Sequence, residues 1–225
     1  MPVFCLPSEL IFPDPALAEP DGLIAIGGDL SAERLLLGYQ YGIFPWFSRR
    51  DPIMWWSPDP RFVLFPENFK VSASLSALVR KGKYRVTFDT DFANVIKHCA
   101  DVKRTHETGT WITADMKKAY INLHHLGFAH SVETWQEDRL VGGLYGISLG
   151  KAFFGESMFH TATDASKVAL FHLVQQLKTW KFDFIDSQLR TEHLVRLGAE
   201  EIPREKYLNL LDEALLSETL RGKWT

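Results

Sequence analysis

The segment Phe182-Asp183-Phe184-Ile185-Asp186-Ser187-Gln188 constrains the fold of this chain more than any other. Its Phe and Ile residues demand cover, so it reads as a buried strand. A period of two sets Asp186 and Gln188 on the face of Phe182 and Phe184, with Ile185 and Ser187 on the opposite face. Asp186 is therefore expected where water is scarce. A carboxylate there is costly unless paired, and such costs gather at functional sites. An Asp that caps a turn at the strand end is the other reading of the same pattern. A second segment, Gly155-Glu156-Ser157-Met158-Phe159, likewise sets an acid in an apolar run.

Around these segments the pattern is mixed. Helices are expected over 71–81 and 92–99, with a strand over 84–88. Thr113 caps a helix whose apolar positions Met116, Ala119, Tyr120 and Leu123 fall at i, i+3, i+4 and i+7, and Gly127 stops it. A strand meander follows over 129–135, 140–148 and 151–157, then a helix over 164–179, the acid-bearing strand, and a last helix with Pro203 at its first position. The first sixty residues differ: nine of the eleven prolines lie at or before Pro60. They hold one clear helix over 32–41, with Ser31 as N-cap, Glu33 in the first turn and Gly42 as terminator. The proline-locked aromatic loops beside it need a surface to lie on. The expectation is an α+β protein, with a small N-terminal domain (1–62) packed on a larger domain (63–225).

Bulk properties exclude several classes. At 225 residues and 46% apolar content the chain can bury a real core. A net charge of −3 means that any polyanion site must be a local patch. Cys5 and Cys99 make neither a disulfide framework nor a metal pattern, and the eight histidines lack ligand spacing, so no metal is expected. No apolar run spans a bilayer and the N-terminus has no signal-peptide pattern; a cytoplasmic, membrane-free, monomeric protein is expected. There is no Walker loop, no GxGxxG after a strand and no nucleophile elbow.

A set of short motifs recurs in a specific order: Gly27-Gly28-Asp29-Leu30, Tyr41-Gly42-Ile43-Phe44-Pro45-Trp46-Phe47, Trp55-Trp56-Ser57-Pro58-Asp59-Pro60-Arg61, Gly109-Thr110-Trp111-Ile112-Thr113, Leu140-Val141-Gly142-Gly143, the two acidic segments, Ala165-Ser166-Lys167 and Leu197-Gly198-Ala199. Together they resemble the leucyl/phenylalanyl-tRNA–protein transferase family over nearly the whole chain. The resemblance implies a GNAT-like acyltransferase domain and transfer of Leu or Phe, less readily Met, from aminoacyl-tRNA to the N-terminal Arg or Lys of a protein, marking it for proteolysis. An aminoacyl ester is already activated, so no cofactor is implied.

The resemblance assigns catalysis to Asp186, Gln188 and Glu156. In this reading Gln188 holds the attacking amine, Asp186 polarises or orients the Gln188 amide, and Glu156 is the counter-charge for the basic acceptor residue; a strand-edge or capping Glu is the alternative. Leu144, Phe153, Met158, Leu173, Ile185 and Ser187, with Gly155 and Ser157 beside them, line the pocket for the donor side chain. Each could equally be plain core. The family more often has Met and Phe where this chain has Leu144 and Leu173. Trp46 and Trp111 lie around the terminal adenosine and Tyr120 is nearby, on the face of its helix that periodicity assigns to the core, where its hydroxyl needs a partner; Trp55 and Trp56 are expected to pack between domains. Arg80, Lys81, Lys83 and Arg85 are the candidate contacts to the tRNA backbone, or a solvated helix end.

Two rivals remain at this stage. An acetyl-CoA-dependent GNAT acetyltransferase needs a glycine-containing turn for pyrophosphate, but Phe159-His160-Thr161-Ala162-Thr163-Asp164-Ala165 has none and carries an acid. A non-catalytic tRNA-binding module has no use for three polar groups gathered on strands.

Overall fold

A computed structural model describes residues 3–102 and 110–225. The N-terminal unit has four short strands and a helix: β1 (Phe4–Leu6), β2 (Leu23–Gly27), α1 (Ala32–Gln40), β3 (Phe44–Pro45) and β4 (Met54–Trp56), in sheet order β1-β2-β4-β3. The larger unit follows with β5 (Arg61–Leu64), α2 (Ala73–Arg80), β6 (Arg85–Phe88), α3 (Phe92–Asp101) and α4 (Ala114–His125). Then come β7 (Ala129–Gln136), β8 (Arg139–Leu149), β9 (Ala152–His160), α5 (Ala165–Thr179), β10 (Phe184–Gln188), α6 (Glu192–Arg196), β11 (Glu200–Ile202) and α7 (Arg204–Leu215). These strands form one sheet in the order β11-β5-β10-β9-β8-β7-β6. A domain boundary after residue 62 falls inside β5, whose residues pair with both β10 and β11.

Local chemistry explains the helix ends. The Ser31 hydroxyl accepts from the Arg34 N–H at the start of α1, and the Thr113 hydroxyl accepts from the Met116 N–H at the start of α4. Gly42 closes α1 at φ +67°, and a Cβ there would come within 2.8 Å of the Tyr207 ring, so the residue serves both the turn and the approach of α7. Pro203 is the N-cap of α7 with extended backbone, one position earlier than expected. α5 begins at Ala165, preceded by Asp164 in the left-handed region at φ +62°.

The seven-stranded sheet separates two apolar layers. Val63, Tyr145, Ile147, Phe154 and Phe184 face α1, α3, α4 and α7, a layer that also takes in Trp55, so the two units share one core. Phe62, Leu64, Leu144, Phe153 and Ile185 face α5 and the C-terminal Trp224. Burying one such side chain contributes about 1.5–3 kcal/mol. Phe182 lies in the second layer and Phe184 in the first, so the expected common face for the two is not found. The strand starts only at Phe184, and alternation does not extend upstream of it. Arg34 anchors the N-terminal segment: its buried guanidinium donates to the carbonyls of Pro7, Ser8 and Glu9.

Candidate functional site

β9 and β10 run parallel and pair at Ala152–Phe184, Phe153–Ile185 and Phe154–Asp186, where the ladder ends. Both strands are irregular just beyond. β9 shifts register against β8 between Gly155 and Ser157, leaving Glu156 as the extra residue. β10 shifts against β5 between Asp186 and Gln188, and Gln188 adopts φ +58°. Bulges re-aim side chains and interrupt pairing. Here they open a fork between neighbouring strands, and both acid-bearing segments border it.

The second bulge changes which way Gln188 faces. Asp186 is opposite Val63 and Gln188 is opposite Phe62, on alternate sides of β5. The expected common face for Asp186 and Gln188 is therefore not observed. Their link is also different. The Asp186 carboxylate accepts from the backbone N–H of Gln188 at 2.9 Å, not from its side-chain amide. With the amide assigned so that its nitrogen faces acceptors, that nitrogen donates across the fork to the Gly155 carbonyl at 2.9 Å and to the Ser187 carbonyl at 3.0 Å, leaving the oxygen as the end unused in these bonds.

Asp186 is fully buried and fully engaged. Arg61 grips it through Nε at 2.9 Å and Nη2 at 2.6 Å, and the Tyr207 hydroxyl donates at 2.9 Å. The guanidinium lies between the rings of Phe44 and Tyr207, 4.8 and 4.5 Å from their centroids. Burial works against the Arg61 charge, but Asp186 outweighs it and raises the guanidinium pKa. Arg61 and Tyr207 were not singled out as site residues. Their cue was the need of a buried carboxylate for a counter-charge, and Arg61 closes the Trp55–Arg61 motif.

Among the described residues Glu156 has no ion-pair partner, although the Arg61 charge reaches it and lowers its pKa. The Tyr39 hydroxyl donates to one carboxylate oxygen at 2.7 Å, the Tyr120 hydroxyl lies 3.1 Å from the other, and the two hydroxyls touch. Both phenols can donate to the carboxylate, and the three groups form one closed cluster. Desolvation raises the Glu156 pKa, the tyrosine bonds pull it back and the Asp186 charge raises it further, leaving it at about 7. Both phenols have raised pKa values, for burial first and then the nearby Glu156. Tyr120 was expected to need a partner for its hydroxyl and has two. Tyr39, on α1 of the small unit, was missed.

Leu144, Phe153, Leu173 and Ile185 gather in the α5-side layer, with Met158 packed against them. Leu144 is opposite Met158 in the ladder, and Ile185 is beside Phe153. These residues and the Asp186–Glu156 pair thus lie on opposite faces of the sheet, with Gly155, Ser157 and Ser187 on the bulged segments between them. Met158 also lines a cavity of about 550 Å³ at the start of α5, which Asp186, Gln188 and Glu156 do not line. Trp46 is exposed and stacks edge-on against Trp56, whose indole donates to the Trp46 carbonyl, while Trp55 is buried and donates to Gly27. Trp111 is half-buried, and the Gly109 end of its motif lies outside the described residues. Arg80, Lys81, Lys83 and Arg85 are all exposed where α2 leads into β6. Among the described residues no group of His, Cys, Asp and Glu is arranged to hold a metal, and no helix is long and apolar enough to cross a membrane.

Comparison with known proteins agrees with the motifs. A family model for leucyl/phenylalanyl-tRNA protein transferase matches residues 63–212, and a model for the N-terminal domain of that family matches residues 28–59. The leucyl/phenylalanyl-tRNA–protein transferase of Anaeromyxobacter sp. (strain Fw109-5) is 57% identical over 224 residues, 100% of this chain and 95% of that protein. Its counterpart in Syntrophobacter fumaroxidans is 59% identical over 99% of this chain and 95% of its own length. Among solved structures, an aminoglycoside acetyltransferase from a soil metagenome overlaps 51% of this chain and 84% of its own at 11% identity and a TM-score of 0.39. L-PGS from Bacillus licheniformis overlaps 76% and 56% at 15% identity and the same TM-score. With two family models in sequence and relatives matched end to end, the chain belongs to the leucyl/phenylalanyl-tRNA protein transferase family, aminoacyltransferases that move an amino acid from tRNA to protein.

Proposed function

We propose that the donors are Leu-tRNA and Phe-tRNA, with Met-tRNA used less readily, and that the acceptor is a protein with N-terminal Arg or Lys, which is thereby marked for proteolysis. The protein works as a cytoplasmic monomer. The observation that supports this reading is that the bulged segments bearing Glu156, Asp186 and Gln188 border one fork between β9 and β10, with the two acids on one face of the sheet and the apolar cluster around Met158 on the other.

The chemistry follows from the groups present. The neutral α-amine of the acceptor attacks the ester carbonyl carbon, and the ribose oxygen leaves with a proton. An α-amine has a pKa of about 7.7–8, so no strong base is required. The Gln188 amide oxygen accepts a hydrogen bond from the amine and orients its lone pair. Asp186 acts one step back: with Arg61 and Tyr207 holding it, it fixes the Gln188 backbone at the bulge and so positions the amide that meets the amine. Glu156 pairs with the cationic side chain of the acceptor. The Leu or Phe side chain lies against Leu144, Phe153, Met158, Leu173 and Ile185, with Gly155, Ser157 and Ser187 at the edge. Met158 adapts to more than one shape. Trp46 and Trp111 flank the terminal adenosine, with the buried Tyr120 behind them against Glu156, and Arg80, Lys81, Lys83 and Arg85 meet the acceptor-stem phosphates, so binding of tRNA weakens with salt.

The test is incubation of labelled phenylalanyl-tRNA with a peptide beginning with Arg. Transfer is expected, and none to the N-acetylated peptide. At saturating substrates Asp186→Asn and Gln188→Ala are each expected to lower kcat by about 100-fold or more. Wild-type turnover in both variants, or equal transfer to the blocked peptide, contradicts the reading.

A further inference from the structure

We propose that the edge of β9 beyond the fork, at Met158 and His160, binds the acceptor protein as an added strand, pairing with the backbone of the residues that follow its N-terminus. The proposal rests on the functional reading above, which makes a free N-terminal amine the nucleophile, and adds to it a binding site that the catalytic groups do not form.

The register of the sheet leaves this edge open. β8 and β9 pair at Tyr145–Ser157, Leu144–Met158, Gly143–Phe159 and Gly142–His160. The Thr161 N–H donates to the Val141 carbonyl at 2.8 Å, which continues that register by one pair. In an antiparallel ladder, pairs that exchange hydrogen bonds alternate with pairs that do not. Val141–Thr161 is of the first kind, so Gly143–Phe159 and Tyr145–Ser157 are too. Met158 and His160 are of the second kind and aim their N–H and C=O groups away from β8. β10 lies on that side, but its ladder with β9 ends at Phe154–Asp186, and no other strand among the described residues pairs with β9 there. Met158 is half-buried and His160 exposed, and both line the cavity of about 550 Å³.

The cavity selects the ligand. Backbone donors and acceptors alternate along one edge, a pattern that another peptide backbone completes. The charges around it are compensated: Lys167 is paired with Asp164 at 2.6 Å, and burial lowers the His193 pKa. Val102, Phe159 and Ala162 supply apolar walls. Such a lining suits neutral amide groups. The fork sets the direction. The acceptor amine must reach Gln188 and Glu156, which lie at the fork end of the edge. A chain with its N-terminus there runs towards His160, parallel to β9, and takes the place in the sheet that β10 leaves. In that arrangement the acceptor residue opposite Phe159 donates its N–H to the Met158 carbonyl and accepts from the His160 N–H. At about 3.3 Å per residue, about four acceptor residues span the edge from Glu156 to His160.

The experiment assays wild type with phenylalanyl-tRNA and acceptors of increasing length, from arginine amide to an Arg-starting hexapeptide. KM is expected to fall about tenfold by the fourth residue and then stay level, as for two added backbone hydrogen bonds. Single N-methylation of the second, third or fourth residue of the hexapeptide gives a sharper reading, because only alternate residues of an added strand aim their backbone groups at β9. The second and fourth positions should respond alike and the third oppositely, with KM about tenfold higher at one parity and less than about threefold higher at the other. His160→Pro removes one N–H on a side where the strand has no partner, a place that proline tolerates, and should reduce the length effect to about threefold or less. The ratio is read within the variant, so a general loss of activity does not enter it. A KM equal for all lengths, or methylation penalties without alternation, overturns the proposal. So does a His160→Pro variant that raises KM for phenylalanyl-tRNA and keeps the peptide length ratio, since the edge would then belong to the donor. If arginine amide is an acceptor and only length and alternation fail, the functional reading stands without this site. If no Arg-starting acceptor is used, both fall.

Discussion

Asp186 and Glu156 sit on neighbouring strands, on the same face of one sheet, yet they are built in opposite ways. Asp186 has a bidentate arginine, a phenol and a backbone N–H, so its charge is fully compensated. Glu156 has two phenols and, among the described residues, no ion-pair partner, and burial raises its pKa to about 7. The contrast teaches how one acid can support the architecture of a site while the other remains available to an incoming charge. A buried carboxylate that is already paired has little left for a ligand. One whose pKa burial raises, with hydroxyls as its partners, can release its proton and pair with an incoming cation.

Removing the arginine should break the first half of the comparison. Arg61→Met leaves the Asp186 charge buried and unpaired, and is expected to cost about 3–5 kcal/mol of stability in denaturant melts. Arg61→Met with Asp186→Leu should recover most of that loss without restoring transfer, because an apolar pair can replace an ion pair in packing but does not hold the Gln188 backbone. Full recovery of transfer in the double variant would show that Asp186 supplies nothing beyond packing.

Stability as a function of pH sharpens the second half. The folded-state pKa of Glu156 is raised to about 7 from an ordinary 4.5. The protonated form is therefore favoured by folding. Its contribution is complete below about pH 4.5 and is lost as the pH rises through 7. Glu156→Gln lacks this titration. Measured against it, wild type should lose about 1–3 kcal/mol between pH 4.5 and pH 8, a figure discounted for the partial exposure of the site. Parallel stability curves for the two proteins would contradict the raised Glu156 pKa.

The smallest effect concerns the phenols. Tyr39→Phe removes one hydrogen bond to Glu156 and should cost about 1 kcal/mol. It should also move the Glu156 titration to higher pH, since that bond favours the ionised acid. The pH profile of KM for an Arg-starting peptide reads that shift directly.

The limits of the sequence reading follow from the same elements. The central helices, the meander and the buried Asp186 were legible because periodicity and caps are local properties. The fork was not, because a bulge inserts one residue and reverses the face of all that follows; this is why Gln188 was placed on the wrong side. Arg61 is 125 residues from Asp186 in sequence, and Tyr39 is 117 from Glu156, distances over which no spacing rule operates. The strands of the small sheet escaped notice because they are two to five residues long and interrupted by turns. α6 and β11 are equally short and lie in a stretch without clear alternation.

The most direct test of the account compares acceptors beginning with Lys and with norleucine, which share an unbranched four-carbon side chain and differ by the terminal ammonium, in wild type and in Glu156→Gln. Wild type is expected to prefer Lys by about 30-fold or more in kcat/KM, and Glu156→Gln to reduce that preference to about threefold or less. An unchanged preference in the variant would mean that Glu156 is not the counter-charge and that the two acids do not divide their work in this way.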